Sequence, residues 1–196
     1  MKRVALLLPG GVEILEAAAF FDVLGWASLE GSEAIEVVTV GLDREVVSTF
    51  GMRLLPDALI DDIDPSTFDA LAVPGGFEEY GYYEQVFSQP VDDLIRAFDR
   101  RDKPIASICV GALPLAHAGV LEGRRATTYH LGDGRRRRQL ADYGCEVVDA
   151  AVVRDGRVLT STAPSSAVEV ALALLELLTD RGNAARVRAL MGFDGG

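Results

Sequence analysis

Cys109 closes the apolar run PIASIC (104–109) and is followed at once by Val110-Gly111 and an Ala/Leu-rich helical pattern. A residue squeezed into a strand-to-helix turn takes strained backbone angles and projects its side chain over the sheet edge. A thiol placed there is a candidate nucleophile, because the free N–H groups and dipole of the following helix favour a thiolate. Two other apolar runs end on small turns, Pro9-Gly10-Gly11 and Pro74-Gly75-Gly76. Glycine lets backbone N–H groups approach a ligand closely. The N–H of Val110 and that of Gly75 or Gly76 are therefore expected to cradle a developing oxyanion. The second cysteine, Cys145 in YGCEVV, reads as a small hydrophobe at the start of a short strand.

These turns need a scaffold that brings them to one edge. The runs RVALLL (3–8), IEVVTV (35–40), FDALAV (68–73) and PIASIC (104–109) have the character of strands buried on both faces. Helical patterns fall between and after them, at about 13–29, 90–101, 111–119, 131–142 and 165–179. Such alternation predicts βαβ units and an α/β fold, a mostly parallel sheet with helices on both faces. Ligands bind beyond the carboxyl ends of such strands, where the three turns would meet. VVRDGRVLTS (152–161) predicts a hairpin turning at Asp155-Gly156, and a short strand pair is expected around 46–55.

Composition narrows the function classes. The 196 residues are 49% apolar and 25% charged, the balance of a globular chain, and a single domain over 1–196 is expected. A net charge of −11 repels nucleic acid phosphates and anionic membrane surfaces, so neither is an expected partner. The one basic cluster, Arg135 to Arg138, points around most of a helix and reads as a solvated face or local ion pairs, with an anion site as the weaker alternative. Two cysteines make no disulfide framework, and the apolar run in MKRVALLLPGG is too short for a leader or a span, so a cytoplasmic location is expected. Two histidines, His117 and His130, with no Cys pair at ligand spacing, argue against a metal site.

FDALAVPGG, IASICVG, GRRATTY and VVRDGRVLTSTAP followed by an apolar helix resemble, in that order, the ThiJ/PfpI superfamily. This is the family of the Parkinson-associated DJ protein, within the class I glutamine-amidotransferase-like fold. The resemblance runs from Val4 to about Leu178 and implies a flavodoxin-like three-layer sandwich. It implies that Cys109 is the reactive nucleophile and that Glu16, in GGVEILEAAAFFDV, is the acid whose protonated carboxyl hydrogen-bonds it. Burial and a neighbouring negative charge would have to raise the Glu16 pKa. The oxyanion donors fall on Gly75, Gly76 and Val110, and a possible proton shuttle on His130 or its neighbour Tyr129. Val110 stands where the peptidase-like branch has a histidine, and no histidine follows His130, which disfavours peptidase and glutaminase chemistry.

The reaction implied is cofactor-free attack on a small electrophile, an α-oxoaldehyde as in glyoxalase- or deglycase-like members or an isonitrile as in hydratases. The alternative is a redox-sensing stress-response or chaperone protein that uses Cys109 without turnover. Tyr80, Tyr82 and Tyr83, in the loop 75–85, are candidates to line the site. The apolar segment 16–29 predicts a homodimer, which the resemblance also implies. A fused DNA-binding domain is not expected in a chain of this length.

Overall fold

The computed structural model describes residues 1–193; residues 194–196, the end of the expected domain, lie outside the described residues. The strands are β1 (Lys2–Leu8), β2 (Ile35–Gly41), β3 (Val46–Val47), β4 (Arg53–Leu54), β5 (Ala58–Leu59) and β6 (Ala70–Val73). They continue with β7 (Ile105–Ile108), β8 (Arg125–Ala126), β9 (Glu146–Val147), β10 (Val152–Asp155) and β11 (Val158–Ser161). The helices are α1 (Ile14–Glu30), α2 (Tyr82–Val86), α3 (Gln89–Asp99), α4 (Ala112–His117), α5 (Arg135–Asp142), α6 (Ala167–Leu178) and α7 (Arg181–Leu190).

One seven-stranded sheet runs in the order β10-β11-β7-β6-β1-β2-β5, parallel except for the β10–β11 hairpin. Period-two alternation sorts its side chains into two cores. Val4, Leu6 and Leu8 of β1 pack with Phe20, Val23 and Leu24 of α1 and with α6 and α7. Ala5 and Leu7 turn to the opposite face, where Val91, Ile95 and Phe98 of α3 meet Leu113 and Leu115 of α4. Two helical layers on a central sheet make the expected flavodoxin-like sandwich. The strand register sets the carboxyl ends of β1, β6 and β7 side by side, since Leu6 pairs with Ala72 and Val73 with Ser107. The turns that follow these strands therefore gather at one edge.

Several boundaries differ from the sequence reading for local reasons. The helix expected from 131 begins at Arg135, because Gly132 and Gly134 take φ of 74° and 70° and break the preceding chain. The β10–β11 turn consists of Gly156 and Arg157, one residue later than expected, since Asp155 pairs with Val158. The helix expected at 165–179 is α6, and a further helix outside the sequence reading, α7, follows it. Asp180 accepts the Asn183 N–H at 2.9 Å and so caps α7, which packs Ala184 and Val187 into the first core. Among the described residues no helix is long and apolar enough to cross a membrane.

Candidate active site

At the end of β7 the chain turns through Cys109–Gly111 directly into α4. Cys109 has a φ of 56°, in the left-handed region that costs a residue with a Cβ about 1–3 kcal/mol. Its neighbours hold it there. Thr128 Oγ1 donates to the Cys109 carbonyl at 2.8 Å. At Gly111 any Cβ would lie 2.3 Å from the Val73 carbonyl oxygen, so only glycine lets the elbow close against the end of β6.

Glu16 lies in the first turn of α1 and is fully buried. Its Oε2 accepts the Gly75 N–H at 2.6 Å, and the carboxyl and the Cys109 thiol lie close enough to perturb each other's titration. The other oxygen, Oε1, is buried with no hydrogen-bond partner of its own. Burial raises the Glu16 pKa to about 8, with the Glu13 charge adding to the rise and the Gly75 hydrogen bond opposing it. At neutral pH Glu16 is therefore a neutral acid.

The thiol departs from the expected helix-stabilised thiolate. Burial, and after it the charge Glu16 carries when ionised, pushes the Cys109 thiol up, while the Val110 N–H pulls it down. Helix α4 has only six residues, so its dipole does little against desolvation. A thiolate at Cys109 is favoured only while Glu16 keeps its proton. The two groups titrate as a pair.

The Gly75-Gly76 loop supports this pair from the β6 side. Tyr82, fully buried, donates its hydroxyl to the Pro74 carbonyl at 2.7 Å. Glu13 N–H donates to the Gly75 carbonyl and Phe77 N–H to the Gly11 carbonyl, pinning the loop to the turn after β1. Gly75 and Gly76 now separate in role. The Gly75 N–H is committed to Glu16, so it positions the acid and is not a free oxyanion donor, contrary to the sequence reading. The Val12–Gly76 bridge leaves the Gly76 N–H off the ladder, and Gly76 lines the cavity, as does Val110.

That cavity has a volume of about 560 Å³, with Glu16 and Cys109 in its wall. Tyr129 lines it and His130 does not, so the shuttle expected of His130 has no support in its position. His130 lies within electrostatic reach of Asp149. His117 is structural, with Nδ1 2.8 Å from Asp92 Oδ1 and its ring against Phe87. Of the three loop tyrosines only Tyr83 lines the cavity; Tyr82 lies beneath the loop and Tyr80 packs on Phe50. The partly exposed Cys145 is pushed up to about 11 by burial, as befits a filler.

Sequence reasoning missed Arg135 and Arg136, which also line the cavity. Their ion pairs are not the local ones expected but run across the fold: Glu78 Oε2 accepts from both, at 3.0 and 2.7 Å. Their place at the cavity was hidden because nothing in the sequence brings 78 and 136 together.

The DJ-1/PfpI family model matches residues 2–177. The protein named DJ-1 homolog A in Arabidopsis thaliana is 29% identical over 191 residues, 97% of this chain and 46% of that protein. The chain thus spans about half the length of that relative. A Pyrococcus horikoshii protein named a deglycase is 34% identical over 136 residues, 68% of this chain and 76% of its own. The crystal structure of Drosophila melanogaster DJ-1beta superposes with a TM-score of 0.85 at 29% identity, covering 97% of each chain.

Proposed function

From the premise that the chain belongs to the DJ-1/PfpI family, we propose that it is a cysteine-dependent enzyme converting small α-oxoaldehydes to 2-hydroxy acids. The observation that carries this reading is the buried neutral Glu16 coupled to Cys109 on a strained elbow. A relative named a deglycase supports carbonyl chemistry in the family.

The steps balance without an external oxidant. Cys109 gives up its thiol proton to solvent as Sγ bonds to the aldehyde carbon, the carbonyl π pair moves to oxygen, and Glu16 hands its own proton to that oxygen and becomes a carboxylate. The Gly76 and Val110 N–H groups stabilise the charge while it develops. The Glu16 carboxylate then takes the proton from the former aldehyde carbon and returns it to the neighbouring carbon, while the hydroxyl proton passes from the first oxygen to the second, so that the first becomes a carbonyl and the second a hydroxyl. The product is a thioester, oxidised at one carbon and reduced at the next. Water cleaves it, releasing the 2-hydroxy acid and the free thiol.

The test is a panel of methylglyoxal, glyoxal and an isonitrile, with the Cys109→Ser variant as control. Turnover of the oxoaldehydes that vanishes in the variant is expected. Turnover of the isonitrile alone would transfer the same pair to hydration, and turnover of none would leave the enzyme reading without support.

The unpartnered Glu16 Oε1 favours one second reading, a peroxide sensor. A neutral carboxyl beside the sulfur can donate to a sulfinate oxygen. Two equivalents of peroxide would oxidise the thiolate to the sulfinate, leaving two waters. Mass spectrometry after mild peroxide should show two oxygen atoms added at Cys109, and fewer in Glu16→Leu.

A further inference from the structure

Four arginines at the N-terminal turn of α5 break a local rule. Cations there oppose the helix dipole, whose positive end they crowd. In a chain of net charge −11 this makes an isolated basic spot. Two of the four are neutralised by other partners, Arg137 by Asp149 and Arg138 by Asp133 at the cavity wall. The other two face the cavity. The Arg136 side chain is only 15% exposed, and its guanidinium lies over the Tyr83 ring at 4.5 Å. Gln139 Oε1 accepts from it at 3.1 Å. It is a held group, not a loose surface cation.

Arg135 and Arg136 converge on one carboxylate oxygen, Glu78 Oε2. Both guanidiniums use the same carboxylate oxygen of Glu78, which is half exposed on a short 3-10 turn of the loop, while Asp133 nearby accepts the Arg135 backbone N–H. Tyr83, beneath Arg136 and in the same cavity wall as Cys109, feels the charge of both. Its hydroxyl is buried and has no hydrogen-bond partner among the described residues. An unpartnered donor beside a shared carboxylate points to a ligand with oxygens at both places. Glu78 occupies the position such a ligand's carboxylate would take.

We infer that the substrate is an α-oxoaldehyde that carries a carboxylate, bound by Arg136 and Arg135 in place of Glu78, with the Tyr83 hydroxyl donating to it. The inference rests on the carbonyl chemistry proposed for Cys109, and it names the substrate class of that site. Guanidinium suits this task because its planar fork matches a carboxylate. A substrate of this class is 4,5-dioxopentanoate, whose product would be 2-hydroxypentanedioate.

Recognition and chemistry are tested separately. In the Cys109→Ser protein, which cannot turn over, calorimetry compares 4-oxopentanoate with 2-pentanone, the same skeleton without the charge. The anion should bind at least tenfold tighter. In the same background Arg136→Met should erase that preference and Arg136→Lys should keep part of it. Glu78→Gln should tighten 4-oxopentanoate several-fold, because the competing carboxylate is gone. Equal binding of anion and ketone, or weaker binding of the anion in Glu78→Gln, would overturn the inference; the latter would make Glu78 a strap that shapes the cavity. In the wild-type protein, kcat/KM for 4,5-dioxopentanoate should exceed that for methylglyoxal at least tenfold. Charge-selective binding with no Cys109-dependent turnover would keep the carboxylate site and remove the proposed chemistry. Turnover of methylglyoxal without charge selectivity would do the reverse.

Discussion

Glu16 keeps its proton where an exposed glutamate has long lost it. Its folded-state pKa of about 8 stands above the ordinary 4.5, so between those values the native state binds a proton that the unfolded chain has released. Stability therefore falls as pH rises from about 4.5 to 8, by on the order of 5 kcal/mol, and then levels off. Glu16→Gln cannot ionise. Its Tm minus that of the wild type should grow from pH 5 to pH 9, and parallel Tm curves would refute the buried neutral acid. The same proton governs the thiol. Below pH 8 iodoacetamide should alkylate Cys109 at similar rates in wild type and Glu16→Gln. Above it, the charge on Glu16 should slow the wild type relative to the variant, whereas Glu16→Leu, lacking any donor, should be slower than Glu16→Gln throughout. Identical profiles in all three proteins would mean that the carboxyl does not act on the sulfur.

At the scale of elements, the loop after β6 is the part most open to test. Tyr82→Phe removes the hydroxyl that holds the Pro74 carbonyl and should cost about 0.5–1.5 kcal/mol, with a loss of turnover larger than the loss of stability implies. Gly76→Ala would set a Cβ 2.3 Å from both the Gly11 carbonyl oxygen and the Tyr82 ring, and should destabilise by about 1–3 kcal/mol in urea denaturation. Unchanged kcat in Tyr82→Phe would show that the loop does not depend on this prop. The elbow and its glycines were legible in the sequence because a buried strand ending on a small turn leaves a local signature. The split between Gly75 and Gly76 was not, since it depends on which N–H meets a side chain 59 residues away. Helix α7 was missed because Gly182 reads as a stop, while the cap that restarts the helix is the preceding Asp180. Tyr83 and Arg136 meet only through the tertiary fold, from two loops without periodicity.

For the whole molecule, the outer face of α1 leaves Leu15 at 59% and Phe21 at 49% exposure. Across a groove lined by Ile14, Ala18 and Leu54, the β3–β4 hairpin exposes Phe50, Met52 and Leu55. A contiguous apolar surface of this kind marks an association site, and we propose that a second copy of the chain covers it. Phe50 packs against Phe77 at 6.0 Å between ring centres, and Phe77 lines the cavity, so this interface would border the site. Sedimentation at micromolar concentration should give a dimer, and Leu55→Glu should give a monomer with reduced turnover. A monomeric wild type would sink the proposal.

Strand β7, which aims Cys109, lies between β6 and β11, and β11 comes roughly fifty residues later in the chain. At about 5–20 residues per second, a nascent chain spends about 3–10 s with the thiol made and its strand flanked on one side only. During that interval the hairpin that closes the sheet is absent, so Thr128, made 19 residues after Cys109, lacks the β11 hydroxyl that seats its neighbour Thr127. The thiol's history in the cell thus begins before its chemistry does. A chain born under oxidant stress meets the oxidant with Cys109 unguarded, and pulsed alkylation during refolding should label it until β11 docks.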